Sequence, residues 1–302
     1  MVQVSRRSLR TVYYGWWAVL ACSAVTLLTA GTFFYGFTAL LKPVIAEFGW
    51  SRAVTSLAFS LRSLESGFAA PVVGFFVDRV GSRKLILFGV AVLGVGLLAL
   101  SRIGSLWAFY GAFIIISIGI SSCTSIPGMV VVANWFTARR SAAMGLLMAG
   151  AGAGGVLVPV FSWLIDSYGW RTALVASGIF VWAVGIPLAM AVKNKPARPP
   201  SDPKPATTLQ DTAALPAVSL APLPNYKFGE AVRCRTFWLV SIAFTMSGAA
   251  IYAISVHLMP LAESVGFSVQ TGALMVTVMT VSSIAGRLGF GWMGDLWDKR
   301  YV

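Results

Sequence analysis

Apolar residues run through this chain in long unbroken stretches, neither alternating as in a half-buried strand nor confined to one narrow stripe. Eight stretches, at 14–41, 52–77, 85–101, 106–132, 142–165, 172–192, 236–260 and 270–293, approach or exceed the roughly 20 apolar residues that a helix needs to cross a hydrocarbon core about 30 Å thick. A helix satisfies its backbone N–H and C=O groups internally, as a segment without water around it must. The pattern predicts an all-α chain crossing a membrane eight times. The third stretch is the shortest, with Arg102 standing directly after it.

One long polar interval breaks the series. It opens with KNKPARPPSDPKP and continues through TTLQDTAALPAVSLAPLPNY, a Pro- and Ala-rich composition that disfavours a packed core. This interval reads as a linker carrying a short surface helix near Tyr226 to Arg233. The expected organisation is residues 1–192 as an N-terminal six-helix bundle, 193–235 as a cytoplasmic linker loop, and 236–302 as the first two helices of an incomplete second bundle.

Composition agrees with lipid as the main solvent. The 302 residues are 57% hydrophobic and only 11% charged, against about 25% charged in an average soluble domain. A net charge of +13 raises the question of nucleic acid, and its distribution answers it. Of 23 Lys and Arg residues, 17 lie at the termini and in the loops after the second, fourth, sixth and eighth stretches. Four lie near the other loops, and Arg62 and Arg287 fall inside stretches. This is the positive-inside pattern, which predicts an inner (plasma) membrane protein with its N-terminus and the end of this chain in the cytoplasm. A nucleic-acid binder needs a polar body with a continuous basic face, and neither is visible. Arg6, Arg7 and Arg10 precede the first stretch as in a signal peptide, but the apolar run is too long for one and is read as a first span. Cys22, Cys123 and Cys234 have no paired spacing, and with one histidine neither a disulfide framework nor a metal centre is suggested. Gly152 to Gly155 lack the lysine and hydroxyl of a phosphate loop, so no ATP-driven step or other cofactor follows.

The fifth stretch, MGLLMAGAGAGGVLVPV, is dense in small residues. These let membrane helices approach closely or line a solute path, and Pro159, lacking an amide, bends it. The charged stretch GFFVDRVGSRK ends the second span. Gly74 and Asp78 lie one turn apart, Gly81 permits a tight turn, and Arg79, Arg83 and Lys84 supply cations. A related pattern, Gly291, Asp295, Lys299 and Arg300, ends the eighth span with the same offsets. Asp78 can latch the turn by accepting bonds from such a base or from the next helix's amide end, or the cluster can serve only as a topological anchor. The repetition relates spans two and eight as equivalent members of two halves, the internal symmetry typical of secondary transporters.

The run Gly74-x-x-x-Asp78-Arg79-x-Gly81-x-Arg83-Lys84 resembles the loop motif of the major facilitator superfamily. Within it the chain is similar to bacterial monocarboxylate porters and the oxalate/formate antiporter group. That resemblance rests on Tyr14-Gly15-Trp16-Trp17, Glu47-Phe48-Gly49-Trp50-Ser51-Arg52, Asn134-Trp135-Phe136, Tyr168-Gly169-Trp170-Arg171 and Gly286-Arg287. It implies the major facilitator fold, with 8 of an expected 12 transmembrane helices, and hence a chain truncated at its C-terminus whose remainder is a possible partner. It also implies secondary active transport of a small organic anion by alternating access, proton-coupled or by exchange, and no enzymatic chemistry.

In these relatives a basic residue in the eighth span engages the substrate carboxylate, and Arg287 occupies that position. Its fork can clamp a carboxylate through two parallel bonds, whereas an arginine stranded in lipid costs about 2.5–3.5 kcal/mol. The alternatives are that it snorkels to the interface or pairs with Asp295. Ser283 stands where proton-coupled animal relatives carry an aspartate, which leaves exchange open. Arg62 and Glu65, three residues apart, can neutralise each other or act in coupling and gating. His257 is the single-residue proton sensor or an interfacial hydrogen-bonding group, and Tyr35 can offer a hydroxyl to the substrate or simply pack. A carrier for a drug or sugar, an inactive or regulatory fragment, and a membrane-embedded enzyme are the competing functions.

Overall fold

The computed structural model describes residues 14–136, 139–194, 228–266 and 269–296, and these are helical almost throughout. The first crossing is α1 (Tyr14–Thr29), a π turn (Ala30–Tyr35) and α2 (Gly36–Phe48), followed by α3 (Arg52–Val80) and α4 (Ser82–Ser101). The fourth crossing comprises α5 (Leu106–Cys123) and α6 (Ser125–Trp135). The fifth is α7 (Arg140–Ala153), a 3₁₀ turn (Gly154–Leu157) and the start of α8 (Val158–Ala191). Gly169 interrupts α8 with φ 79° and ψ 157°, so the remainder of α8 is the sixth crossing. Next come α9 (Phe228–Arg233), the short helix expected in the polar interval, then α10 (Arg235–Ser264) and α11 (Val269–Leu296).

By length and composition, four helical runs among the described residues suffice to cross a membrane: Tyr14–Phe33, Ser82–Ser101, Leu106–Trp135 and Arg140–Ala191. The last is 52 residues long and reverses at Gly169, providing two crossings. At 29, 30 and 28 residues, α3, α10 and α11 exceed the length required as well.

Helix α4 starts three residues before the expected stretch. Gly81, at φ 86°, turns the chain within one residue, and the Asn194 side chain accepts the Arg83 amide at 2.7 Å. Arg83 and Lys84 therefore stand in the first turn, where the helix dipole disfavours cations. A side-chain acceptor brought from the end of the sixth crossing offsets that cost.

Packing divides the chain into two units, Met1–Pro203 with Ser283–Val302, and Lys204–Ser282. In the second, the Trp238 indole at the start of α10 donates to the Val232 carbonyl of α9 at 2.8 Å. In the first, the core is built on α1, α4, α5 and α8, with Val19, Leu93, Ile116 and Leu174 fully buried. Thr26, Thr29 and Thr32 donate their hydroxyls to carbonyls four residues back, at 2.9, 2.8 and 2.7 Å, which satisfies polar groups that no water reaches.

The irregular turns of the first and fifth crossings meet. A methyl group at Gly31 would lie 2.7 Å from the Gly154 carbonyl, and one at Gly154 would lie 2.8 Å from the Gly31 amide. Pro159 accounts for the second turn. Without its N–H the Gly155 carbonyl lacks its α-helical donor, and the Val158 amide serves it instead in a tighter 3₁₀ bond.

Glycines also set a close backbone contact of the core, between α4 and α5. A methyl at Gly119 would approach the Leu93 amide nitrogen to 2.6 Å, and one at Gly89 would meet the Gly119 carbonyl at 2.7 Å. Backbone cannot yield as a side chain can, so Gly119→Val is expected to cost about 1–3 kcal/mol through overpacking. The check is detergent-extracted thermal stability, which should fall by several degrees in Gly119→Val and stay near wild type in Gly111→Val, where a methyl meets nothing within 4 Å.

Candidate functional site

The repeated motif at the end of α11 reaches α7. Both carboxylate oxygens of Asp295 are used: Oδ1 accepts the Ser141 amide at 2.8 Å and Oδ2 the Ala142 amide at 2.9 Å. These are free N–H groups of the first turn of a 14-residue helix, so the acid meets both unsatisfied donors and the positive end of the dipole. Small residues permit the approach. A methyl at Gly291 would meet the Ser141 carbonyl at 2.9 Å, one at Gly294 the Ser141 Cβ at 3.1 Å, and one at Gly145 the carbonyl oxygen of Arg287.

Two turns before Asp295 on α11, Arg287 donates from Nη1 to the Met148 carbonyl of α7 at 2.8 Å. Ile284, one turn earlier, lies against Gly152, where a methyl would approach it to 2.8 Å. The α7–α11 seam thus carries a latch at one end and a cationic fork farther along. Among the described residues no carboxylate lies within ion-pair distance of Arg287.

The first copy of the motif differs. Asp78 is exposed, Gly74 has open space where a side chain would be, and the Arg79 guanidinium stacks 4.5 Å over Phe75. Gly81 is closely packed instead, since a side chain there would strike the Asn194 amide. The chain following the sixth crossing is pinned at the same end of the bundle. Trp135 donates its indole N–H to the Lys193 carbonyl at 2.8 Å, Asn134 donates to the Asn194 carbonyl at 3.2 Å, and Tyr14 donates to the Ala191 carbonyl at 2.6 Å. Arg83 and Lys84 are exposed beside this knot, and Lys299 and Arg300 lie outside the described residues.

Within α3, the Arg62 guanidinium lies 5.6 Å over the Phe33 ring, and Glu65 receives the Ser121 hydroxyl of α5 at 3.4 Å. Both groups thus reach toward other crossings. Tyr35 ends the π turn and His257 sits on α10, and the side chains of both lie outside the described set.

At the opposite end of the bundle, Glu47 closes α2 onto α8. Its carboxylate accepts Arg171 Nη1 at 2.5 and 2.7 Å and the Trp170 indole at 2.8 Å. Arg171 also lies 4.3 Å over the Trp170 ring, while Phe48 stacks on Trp50 at 4.5 Å. The two sequence stretches around Glu47 and Trp170 thereby form one clamp.

The family model of the Major Facilitator Superfamily matches residues 21–302. The chain belongs to that superfamily. Its eight long helical passages are a partial major facilitator fold, and the family is one of transporters rather than enzymes. Among similar proteins, Monocarboxylate transporter 13 of Rattus norvegicus is 25% identical over 292 residues, covering 93% of this chain and 61% of the relative. Monocarboxylate transporter 12 of Homo sapiens is 25% identical over 306 residues, with 93% and 57% covered, and Monocarboxylate transporter 11 of Mus musculus 27% over 284, with 93% and 60%. This superfamily member spans about three-fifths of the length of the curated relatives it matches.

Sequence reasoning missed three participants in the candidate site and its frame. The Met148 carbonyl is backbone and has no residue signature. The Asn194 cap acts on a turn more than a hundred residues away, and no local pattern marks it. The Glu47 clamp could have been suspected from an acid and an arginine flanking two loops on the same side of the membrane.

The clamp makes a pH prediction. Hydrogen bonds from Arg171 first, then Trp170, hold the Glu47 carboxyl below its ordinary value of 4.5. A depressed native pKa contributes stability above the unfolded value and loses it as pH falls through the native one. The thermal-stability gap between wild type and Glu47→Gln should therefore be constant above about pH 4.5 and close below it. A gap absent at pH 7, or unchanged at low pH, would count against the clamp.

Proposed function

We propose that this chain acts in secondary active transport of a small organic anion, a monocarboxylate or small dicarboxylate, by alternating access. The observation that carries the reading is Arg287. The Met148 carbonyl takes one of five N–H donors, and among the described residues no carboxylate compensates the positive charge. A cation in that condition on an apolar span favours an anion, and a carboxylate matches the remaining fork. The names of these three relatives, monocarboxylate transporters 11, 12 and 13, point to the same substrate class.

Tyr35 and His257 tune binding, while Arg62 with Glu65 exchanges partners as protons or substrate arrive. The Asp295 contact with α7 holds the cytoplasmic side closed and breaks when the cavity opens inward. By the repeat, Asp78 with Arg79 plays the equivalent part toward a helix of a second half. Coupling runs to protons or to a counter-anion.

Uptake of a radiolabelled monocarboxylate by cells expressing the chain tests this. Arg287→Gln is expected to lower carboxylate uptake about tenfold or more at equal membrane abundance, the worth of charge-assisted bonds, with Arg287→Lys retaining part of it. Carboxylate uptake that is unchanged in Arg287→Gln, or a neutral sugar carried equally by both proteins, would contradict the assignment.

A further inference from the structure

Six aromatic rings run in unbroken contact from the Glu47 clamp to an arginine inside the bundle. Trp170, whose indole donates to Glu47, meets Phe48 edge to face at 6.4 Å, and Phe48 stacks on Trp50 at 4.5 Å. Trp50 lies 5.5 Å from Phe109, Phe109 4.7 Å from Phe113, and Phe113 5.2 Å from Phe33. Over Phe33, at 5.6 Å, stands the Arg62 guanidinium. Arg62 is ten residues into α3, about 15 Å from the start of that helix at 1.5 Å per residue. Phe33, Phe109 and Phe113 are buried, and in a close-packed interior such rings do not move singly.

The last ring of the column belongs to the π turn. There the Gly36 amide reaches the Gly31 carbonyl, five residues back, so the turn holds one residue more than an α-helical turn would. Turns of this kind are rare and occur often at functional sites. Relaxation to an α-helix rotates the chain by roughly the 100° of one residue and draws Phe33 away from both Phe113 and Arg62. The turn thus has two arrangements. A change at the clamp biases it through the rings, and the cation over Phe33 biases it from the other side, which is the physical requirement for coupling two sites.

We propose that the column and the π turn form a switch that ties the position of Arg62 to the state of the Glu47 clamp. With the clamp closed, the rings hold the π turn and keep Arg62 on Phe33. When the clamp opens, the turn relaxes, the ring withdraws, and Arg62 turns to Glu65, one helical turn along α3. Phe33 is then a positioning residue that acts through Arg62. An aliphatic side chain in its place would fill the same volume without holding a cation. The switch rests on the gating part proposed for Arg62 and Glu65 and supplies what drives it. Its test reads no transport, so it can fail while the transport reading stands.

The test is fluorine NMR of the lipid-reconstituted full chain carrying 4-fluorophenylalanine at position 33. One dominant resonance is expected with the clamp intact. Glu47→Gln should raise a second resonance about fivefold or more, the lower range of a coupling between sites, and Arg62→Gln should shift the dominant one. Tyr14→Phe, which removes a hydrogen bond at the other end of the bundle, should leave the spectrum as it was. Phe109→Leu, breaking the column at its middle, should abolish the response to Glu47→Gln. Should the labelled chain fail to fold, thermal stability of Glu47→Gln, Arg62→Gln and the double variant reads the same coupling. The double shift should fall short of the sum of the single shifts by about 2 °C or more, and should equal that sum in a Phe109→Leu background. A fluorine spectrum unchanged in Glu47→Gln, or changed equally by Tyr14→Phe, would overturn the switch. So would additive thermal shifts with Phe109 in place, or a response to Glu47→Gln that survives Phe109→Leu.

Discussion

The carboxylate of Asp295 on the first-turn amides of α7 is the contact around which the candidate site is arranged. Helix starts carry donors that have no partner inside the helix, and in a bilayer water does not supply one. An acid from the end of α11 meets two of them and takes up the helix dipole in the same step. Because hydrophobicity cannot drive helices together in lipid, the approach depends on small residues at Gly145, Gly291 and Gly294, where side chains would collide. Once the ends are fixed, Arg287 falls two turns along the same seam, within reach of the Met148 carbonyl.

The bundle also has a frame at each end. Glu47 with Arg171 and Trp170 ties the first crossing to the sixth, and the stretch from Ala191 to Asn194 is tied back to the first, third and fourth through Tyr14, Arg83 and Trp135. Between these ends the π turn and the 3₁₀ turn face each other at Gly31 and Gly154. A bundle held at its ends and irregular at its middle is suited to moving as a body, as the proposed function needs. Rocking of one bundle against another requires that property.

Much of this architecture was legible in the sequence. Long apolar stretches and the asymmetry of basic residues gave the crossings, because lipid permits few other patterns. The charged loop motif and its copy gave the family, while the helix amide end expected to face Asp78 is instead that of α7, and Asp295 meets it. Less was legible where backbone rather than side chain does the work. Pro159 announced a bend but not the 3₁₀ turn formed three residues earlier by Val158 and Gly155. The early start of α4 depended on a cap from Asn194, which no local rule can place. Arg287 stood out in the sequence because a cation inside an apolar run is costly, while its acceptor at Met148 was invisible for want of any side-chain chemistry.

Amide hydrogen exchange at Ser141 and Ala142, followed in the lipid-reconstituted chain and in Asp295→Asn, tests the seam most directly. The account predicts protection of both amides in the wild type. In the variant it predicts exchange faster by about two- to thirtyfold, the range expected for a weakened helix cap, with the amides of α4 unchanged. Equal exchange at Ser141 and Ala142 in the two proteins would mean that Asp295 does not hold α7, and the arrangement of Arg287 along that seam would lose its foundation.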